Sequence, residues 1–246
     1  MKKDLLLKKN ILITGVTSGI GKSLTKYLSE HGANILMLSK DESKLDVLYD
    51  EIVKKYNTDP YIFKCDLQKL NEDSALEINK IINENYSGID AVIFNAAALD
   101  KMSHIESYDL TTWEKILKIN LTSIFLLAKN LIPLLKESSN PRIIFTTSSV
   151  GRKGKAFWGA YSVSKAGLNA LSEIIADEVE SVSNIKVFNF DPKATRSKMR
   201  SLAYPAENPS TIKDPLKLMD YYLWMLSEDS SSSNKIHIEY RSDEFR

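Results

Sequence analysis

Short apolar runs recur along this chain, separated by stretches with helical periodicity, and that alternation restricts the fold more than any other feature. Residues 11–13, 35–38, 61–65, 91–94, 143–147, 185–190 and 236–240 each read as a strand. Ile11-Leu12-Ile13 and Ile35-Leu36-Met37-Leu38 are apolar at consecutive positions, the pattern of strands covered on both faces. Helical patterns fill the intervals: from a glycine-marked turn at 14–21 to Glu30, then 41–56, 71–85, 111–136, 161–180 and 216–226. Strands joined through helices run parallel, because each connection must cross back over the sheet. The expected class is therefore α/β: one Rossmann-type, doubly wound parallel sheet of about seven strands with helices on both faces.

No compositional break marks a linker, so residues 1–246 are expected to form one domain. At 43% apolar residues the chain can fill that core. The polar, proline-marked stretch 193–215 is long for a connection and reads as a substrate lid. The net charge of +1 offers no field for nucleic acid or a membrane surface, and neither partner is expected. Leu5-Leu6-Leu7 is too short for a signal-peptide core, and no apolar segment approaches the ~20 residues of a membrane span, which points to the cytoplasm. A single cysteine, Cys65, rules out an internal disulfide. His31, His104 and His237 lack ligand spacing, so no metal is expected.

In sheets of this class ligands bind beyond the carboxyl ends of the strands, near the switch in strand order. Gly15, Thr17, Ser18, Gly19, Ile20 and Gly21 fall there, between a strand and a helix. Glycines in that place let the backbone approach a pyrophosphate, and the helix N-terminus supplies free N–H groups. The spacing is G-x-x-x-G-x-G; a plain tight turn would explain it without a ligand. At the end of the second strand an acidic residue would hold a ribose 2′-hydroxyl, whereas a basic one suits a 2′-phosphate. Ser39 and Lys40 stand there, and Asp41 reads as a helix N-cap, so NADP(H) is expected over NAD(H). Further along, Tyr161 and Lys165 are four residues apart on a helical pattern and share a face. An ammonium beside a phenol favours the phenolate, and Ser148 from the preceding strand end offers a donor for a carbonyl oxygen.

These pieces together resemble the classical short-chain dehydrogenase/reductase family over almost the whole chain. The motifs are T-G-x-x-x-G-x-G at 14–21, Asp66, N-A-A at 95–97, K-I-N at 118–120, Ser148 to Gly151, Y-x-x-x-K at 161–165 and D-P at 191–192. The segments around 151–161 and 195–200 look like the YciK-like bacterial oxidoreductases, a subgroup that brings no substrate with it. The resemblance implies hydride transfer between NADP(H) and a carbonyl or alcohol through Asn120, Ser148, Tyr161 and Lys165. Tyr161 would be the acid/base, Lys165 would also hold the nicotinamide ribose, and Asn120 would order a water. Asp66, Leu67, Asn95 and Ala96 would line the adenosine side, and Pro192 and Thr195 the nicotinamide side. It also implies a homodimer or homotetramer built on the 111–136 and 161–180 helices.

Ala97 and Lys193 depart from the glycines usual in that family. Lys193 would bring a cation beside the nicotinamide or its phosphates. A catalytically weak dinucleotide sensor on the same fold is the rival expectation, and an acyl-thioester reductase is an alternative within enzymes. Arg152, Lys153, Lys155, Arg196, Lys198 and Arg200 make the neighbourhood basic; they suggest either a solvated surface or a grip on an anionic substrate.

Overall fold

The structure, a computed structural model, describes residues 5–86 and 88–241. The basic residues before Leu5 that entered the N-terminal reading lie outside this range. In chain order the elements are β1 (Asn10–Thr14), α1 (Gly19–Glu30), β2 (Asn34–Ser39), α2 (Glu42–Lys55), β3 (Tyr61–Lys64), α3 (Glu72–Tyr86) and β4 (Ala91–Phe94). They continue with α4 (Leu110–Leu117), a π-helical turn (Lys118–Thr122), α5 (Ser123–Leu135), β5 (Arg142–Thr146), α6 (Gly159–Glu180) and β6 (Lys186–Asp191). Last come α7 (Lys198–Ala203), α8 (Met219–Leu226) and β7 (His237–Glu239).

All seven strands join one parallel sheet in the order β3-β2-β1-β4-β5-β6-β7. The order reverses at β1, between β2 and β4, and opens a crevice at their carboxyl ends. Side chains alternate across each strand, so consecutive apolar residues fill two cores. Ile11, Ile13, Ile35 and Met37 face Leu24, Leu28, Leu45 and Tyr222 on one side. Leu12, Leu36, Phe94 and Phe145 face Ile82, Leu127, Leu131 and Leu168 on the other. The expected fold class holds.

The 111–136 pattern forms α4, the π turn and α5, with Asn120 inside the turn. By length and apolar composition the run Leu110–Leu135 does suffice to cross a membrane, contrary to the reading of the sequence. It is instead packed in the fold. Ile116, Ile124, Leu127 and Leu131 are buried, and the buried amides Asn120 and Asn130 have hydrogen-bond partners. The three histidines serve packing or surface bonds: His31 with Tyr27, His104 against Phe157, His237 with Glu173.

Arg142, at the start of β5, is 1% exposed. Its guanidinium donates to the carbonyls of Pro141, Met225 and Ser227 and to Ser231 Oγ, all at 2.7–3.0 Å. This one side chain ties the middle of the sheet to the segment between α8 and β7.

Candidate active site

A cleft of about 800 Å³ runs across the carboxyl ends of the strands. Gly15, Thr17, Ser18, Gly19, Ile20, Ser39, Lys40, Asp66, Leu67, Asn95 and Ala96 line one part of it. Ser148, Tyr161, Lys165, Pro192 and Thr195 line the rest. Two expected residues stand behind its wall: Gly21, beneath the turn, and Asn120, which is fully buried.

The glycine turn is built by close approach. Gly15 has φ +75° and Gly19 φ +52°, left-handed conformations that side chains strain. A Cβ on Gly21 would sit 2.2 Å from the Gly15 carbonyl oxygen, so α1 can start this close only with glycine there. Thr14 Oγ1 accepts the N–H groups of Asn95 and Ala96 at 3.0 Å, and Asn95 Nδ2 donates to the Thr14 carbonyl at 3.1 Å. The turn is thereby fixed to the end of β4. Ser18 precedes α1 without a capping side-chain bond, which leaves the helix's first N–H groups free for an anion. This cradle suits the phosphates of a dinucleotide. Beside it, Thr17 Oγ1 and Ser39 Oγ are 3.1 Å apart, and Lys40 is exposed at the end of β2. Asp41 caps α2, as expected, by accepting from Lys44 N–H.

At the other end, Ser148 leaves β5 in an extended conformation and lines the same cleft as the Tyr161 hydroxyl, near enough for its side chain to act on the phenol. Ser149 is exposed and does not line the cleft. Lys165, one helical turn after Tyr161, has its Nζ 5.7 Å from the tyrosine ring centroid and donates to the Thr146 carbonyl at 2.8 Å. Burial lowers the Lys165 ammonium to about 8. The expected lowering of the Tyr161 phenol by Lys165 is reversed here: burial and the Asp191 charge push it up, opposed by the nearby Ser148 side chain. Desolvation outweighs a lysine whose own donor is turned to the backbone.

Asn120 spends its side chain inside the protein. Oδ1 accepts from Ala98 N–H at 2.6 Å, and Nδ2 donates to the Ala98 carbonyl and to Ser164 Oγ. The π turn is thus anchored to the strand-end loop and to α6, and such turns recur at functional sites.

Lys193 lines the cleft, with its charge already paired. It adopts φ +54°, and its Nζ lies 3.1 Å from Asp191 Oδ2 and 2.8 Å from Glu239 Oε2. Its own N–H donates to Asp191 Oδ1 at 2.8 Å, so a nearly buried carboxylate is held by the residue two places on. Glu239 also pairs with Arg152. Arg196 pairs with Asp214, and Arg200 grips Glu207 through two nitrogens. Lys155 donates to the Tyr204 hydroxyl. Much of the basic neighbourhood read from the sequence is therefore already neutralised by partners. The wall near Tyr161 is apolar instead, formed by Leu99, Trp158, Met199 and Ala203, with the Trp158 ring 5.5 Å from that of Tyr161.

Lys22, Lys44, Thr147, Ser197 and Lys198 also line the cleft, and the sequence assigned none of them to cofactor or catalysis. Lys198 was visible only as one charge of a basic segment. Its position follows from the path of 193–215, which no local pattern encodes.

The chain matches the short chain dehydrogenase family model over residues 9–208. It is 33% identical over 229 residues to the uncharacterized oxidoreductase YciK of Escherichia coli K12, covering 93% of this chain and 90% of that protein. A short chain dehydrogenase from Shigella flexneri complexed with NADP superposes with a TM-score of 0.93 at 32% identity, covering 97% of this chain and 99% of the other. A short chain dehydrogenase from Escherichia coli CFT073 complexed with NADPH gives the same TM-score, identity and coverage. With seven parallel strands, the glycine turn and this degree of identity, the protein belongs to the short chain dehydrogenase family of oxidoreductases.

Proposed function

We propose that the cleft binds NADP(H) and that the protein transfers a hydride between it and a carbonyl or alcohol substrate. The observation that carries this reading is the convergence of Ser148, Tyr161 and Lys165 in the same cleft as the glycine turn. The dinucleotide, when bound, supplies the hydride donor or acceptor. The residues do the rest. Ser148 donates to the substrate oxygen and orients it. Tyr161 gives that oxygen its proton during reduction and removes it during oxidation. Lys165 turns from the Thr146 carbonyl to ribose hydroxyls and keeps the phenol's surroundings positive. Asn120, with its side chain occupied, acts toward a proton-carrying water only through its main chain. Asp66, Leu67, Asn95 and Ala96 enclose the adenosine, and Pro192 and Thr195 the nicotinamide.

The whole chain works, in this reading, as one cytoplasmic cofactor-binding domain with 193–215 as its lid. It associates as a homodimer or homotetramer through outer helix faces that expose Phe125 and Ile174. The substrate is a neutral carbonyl compound: the lining near Tyr161 is apolar, and Arg152, Arg196 and Arg200 are engaged with carboxylates. The test is NADPH oxidation against aldehydes, neutral ketones, quinones and 3-oxoacyl thioesters. Neutral ketones are expected to outperform acidic ones, and absence of turnover across the set would defeat the reading.

Two further results are expected. Lys40→Asp should weaken NADPH binding about tenfold or more and leave NADH within about twofold, because a new carboxylate repels only the 2′-phosphate. Fluorescence titration measures both. Lys193→Gly removes the cation at Asp191 and relieves the left-handed backbone. The carboxylate, left with Lys213 as its neighbouring cation, then disfavours the phenolate further, so the rising limb of alcohol oxidation against pH should move to higher pH. Adding Asp191→Asn should move it back. A limb that ignores both substitutions refutes the coupling.

A further inference from the structure

The end of β2 collects an unusual balance of charge. Asp41 is the acidic residue lining the cleft there, and its carboxylate is paired with Lys44. Lys40 stands beside it, exposed, with no ion-pair partner among the described residues. The third cation comes from a distant part of the chain. The segment leading into α7 lies over the glycine turn, so that a Cβ on Gly19 would be 3.4 Å from Ser197 Cβ. Lys198 follows at once and lines the same cleft as Lys40, Asp41 and Lys44. The Asp41 carboxyl is held below its usual range chiefly by Lys44, with a smaller contribution from the Lys198 charge. The neighbouring lid arginines are engaged: Arg196 by Asp214 and Arg200 by Glu207. Lys198 has no ion-pair partner among the described residues. Lys22, Lys40, Lys44 and Lys198 against Asp41 and Asp66 leave two positive charges in this part of the cleft, which matches a phosphate monoester dianion and would be excess for a free ribose hydroxyl.

We propose that Lys198 is the lid's contribution to a 2′-phosphate subsite shared with Lys40 and Lys44, so that NADP(H), and not NAD(H), draws the 197–204 segment onto the cofactor. This rests on the cofactor reading above. It adds that cofactor choice and lid position are coupled through one side chain. A ligand shifts a lid only by binding its closed form more tightly, and between NADP(H) and NAD(H) the 2′-phosphate is the group that differs.

The test uses the full chain without substrate. Calorimetry with NADP+ and NAD+ compares the wild type, Lys198→Ala and Lys198→Arg. Lys198→Ala should weaken NADP+ about five- to twentyfold, leave NAD+ within about twofold and flatten the salt dependence of NADP+ binding, and Lys198→Arg should restore most of the loss. Hydrogen exchange over 197–204 in the wild type should slow with NADP+ and not with NAD+. Equal weakening of both nucleotides by Lys198→Ala, no weakening of NADP+, or equal protection by both would overturn the proposal. A wild type that binds neither nucleotide would instead overturn the cofactor reading.

Discussion

Replacing Tyr161 by phenylalanine should lower carbonyl reduction by about 10³-fold while NADPH affinity changes less than about threefold. The ring is 6% exposed and packs against Trp158, so phenylalanine keeps the shape and loses only the hydroxyl. That hydroxyl is the proposed proton donor, and positioned acid–base groups contribute typically 10²–10⁴ in rate. The upper part of the range applies because no second acid stands ready. Lys165 is engaged by the ribose hydroxyls in the proposed complex, and Ser148 is a far weaker acid than a phenol. Ser148→Ala should cost less, since Tyr161 can still reach the oxygen. Single-turnover reduction measured beside cofactor titration separates the two effects. A Tyr161→Phe enzyme as fast as the wild type would remove the proposed chemistry and leave the cofactor site standing.

How much of this was legible in the sequence follows from the range of the interactions involved. Strand–helix alternation, the glycine turn and the Tyr161–Lys165 spacing are local patterns, and each lies where the sequence implied. Gly21 illustrates why: its requirement arises from a carbonyl only six residues earlier. The protonation of the site was misread for the opposite reason. Lys165 is near Tyr161 in sequence, but burial and Asp191, thirty residues on, decide the direction of the shift. Lys193 was expected beside the cofactor and does line the cleft, but the pairing of its charge with Asp191 and with Glu239 on β7 was not visible in the sequence. The apolar run Leu110–Leu135 looked shorter as sequence than as structure because Lys118 and Asn120 interrupt it. Folding places Asn120 inward on Ala98 and Ser164, a partnership no periodicity predicts.

Arg142 was given no role at the level of sequence, yet its loss should have the largest effect on stability. Arg142→Ala should destabilise the protein by about 3–5 kcal/mol, because it combines two costs. It empties the volume of a fully buried side chain, and it removes one of the two donors that each of the Met225 and Ser227 carbonyls has now, leaving Ser230 Oγ to both. Burial already depresses the guanidinium to about 10, which measures how little solvent reaches it. Arg142→Met fills the space but does not restore the guanidinium's bonds to Pro141, Met225, Ser227 and Ser231, and should recover only part of the loss. For a chain of this size about 3 kcal/mol corresponds to a melting shift of roughly 6–12 °C, and urea titration gives the free energy directly. The consequence should reach the cleft. The segment tied by Arg142 leads into β7, whose Glu239 holds both Lys193 and Arg152. Below its own melting point, Arg142→Ala should therefore exchange amide hydrogens faster in β7 than in β1, and its oxidation pH profile should shift in the same direction as that of Lys193→Gly. A variant as stable as the wild type would mean that water replaces every hydrogen bond Arg142 makes.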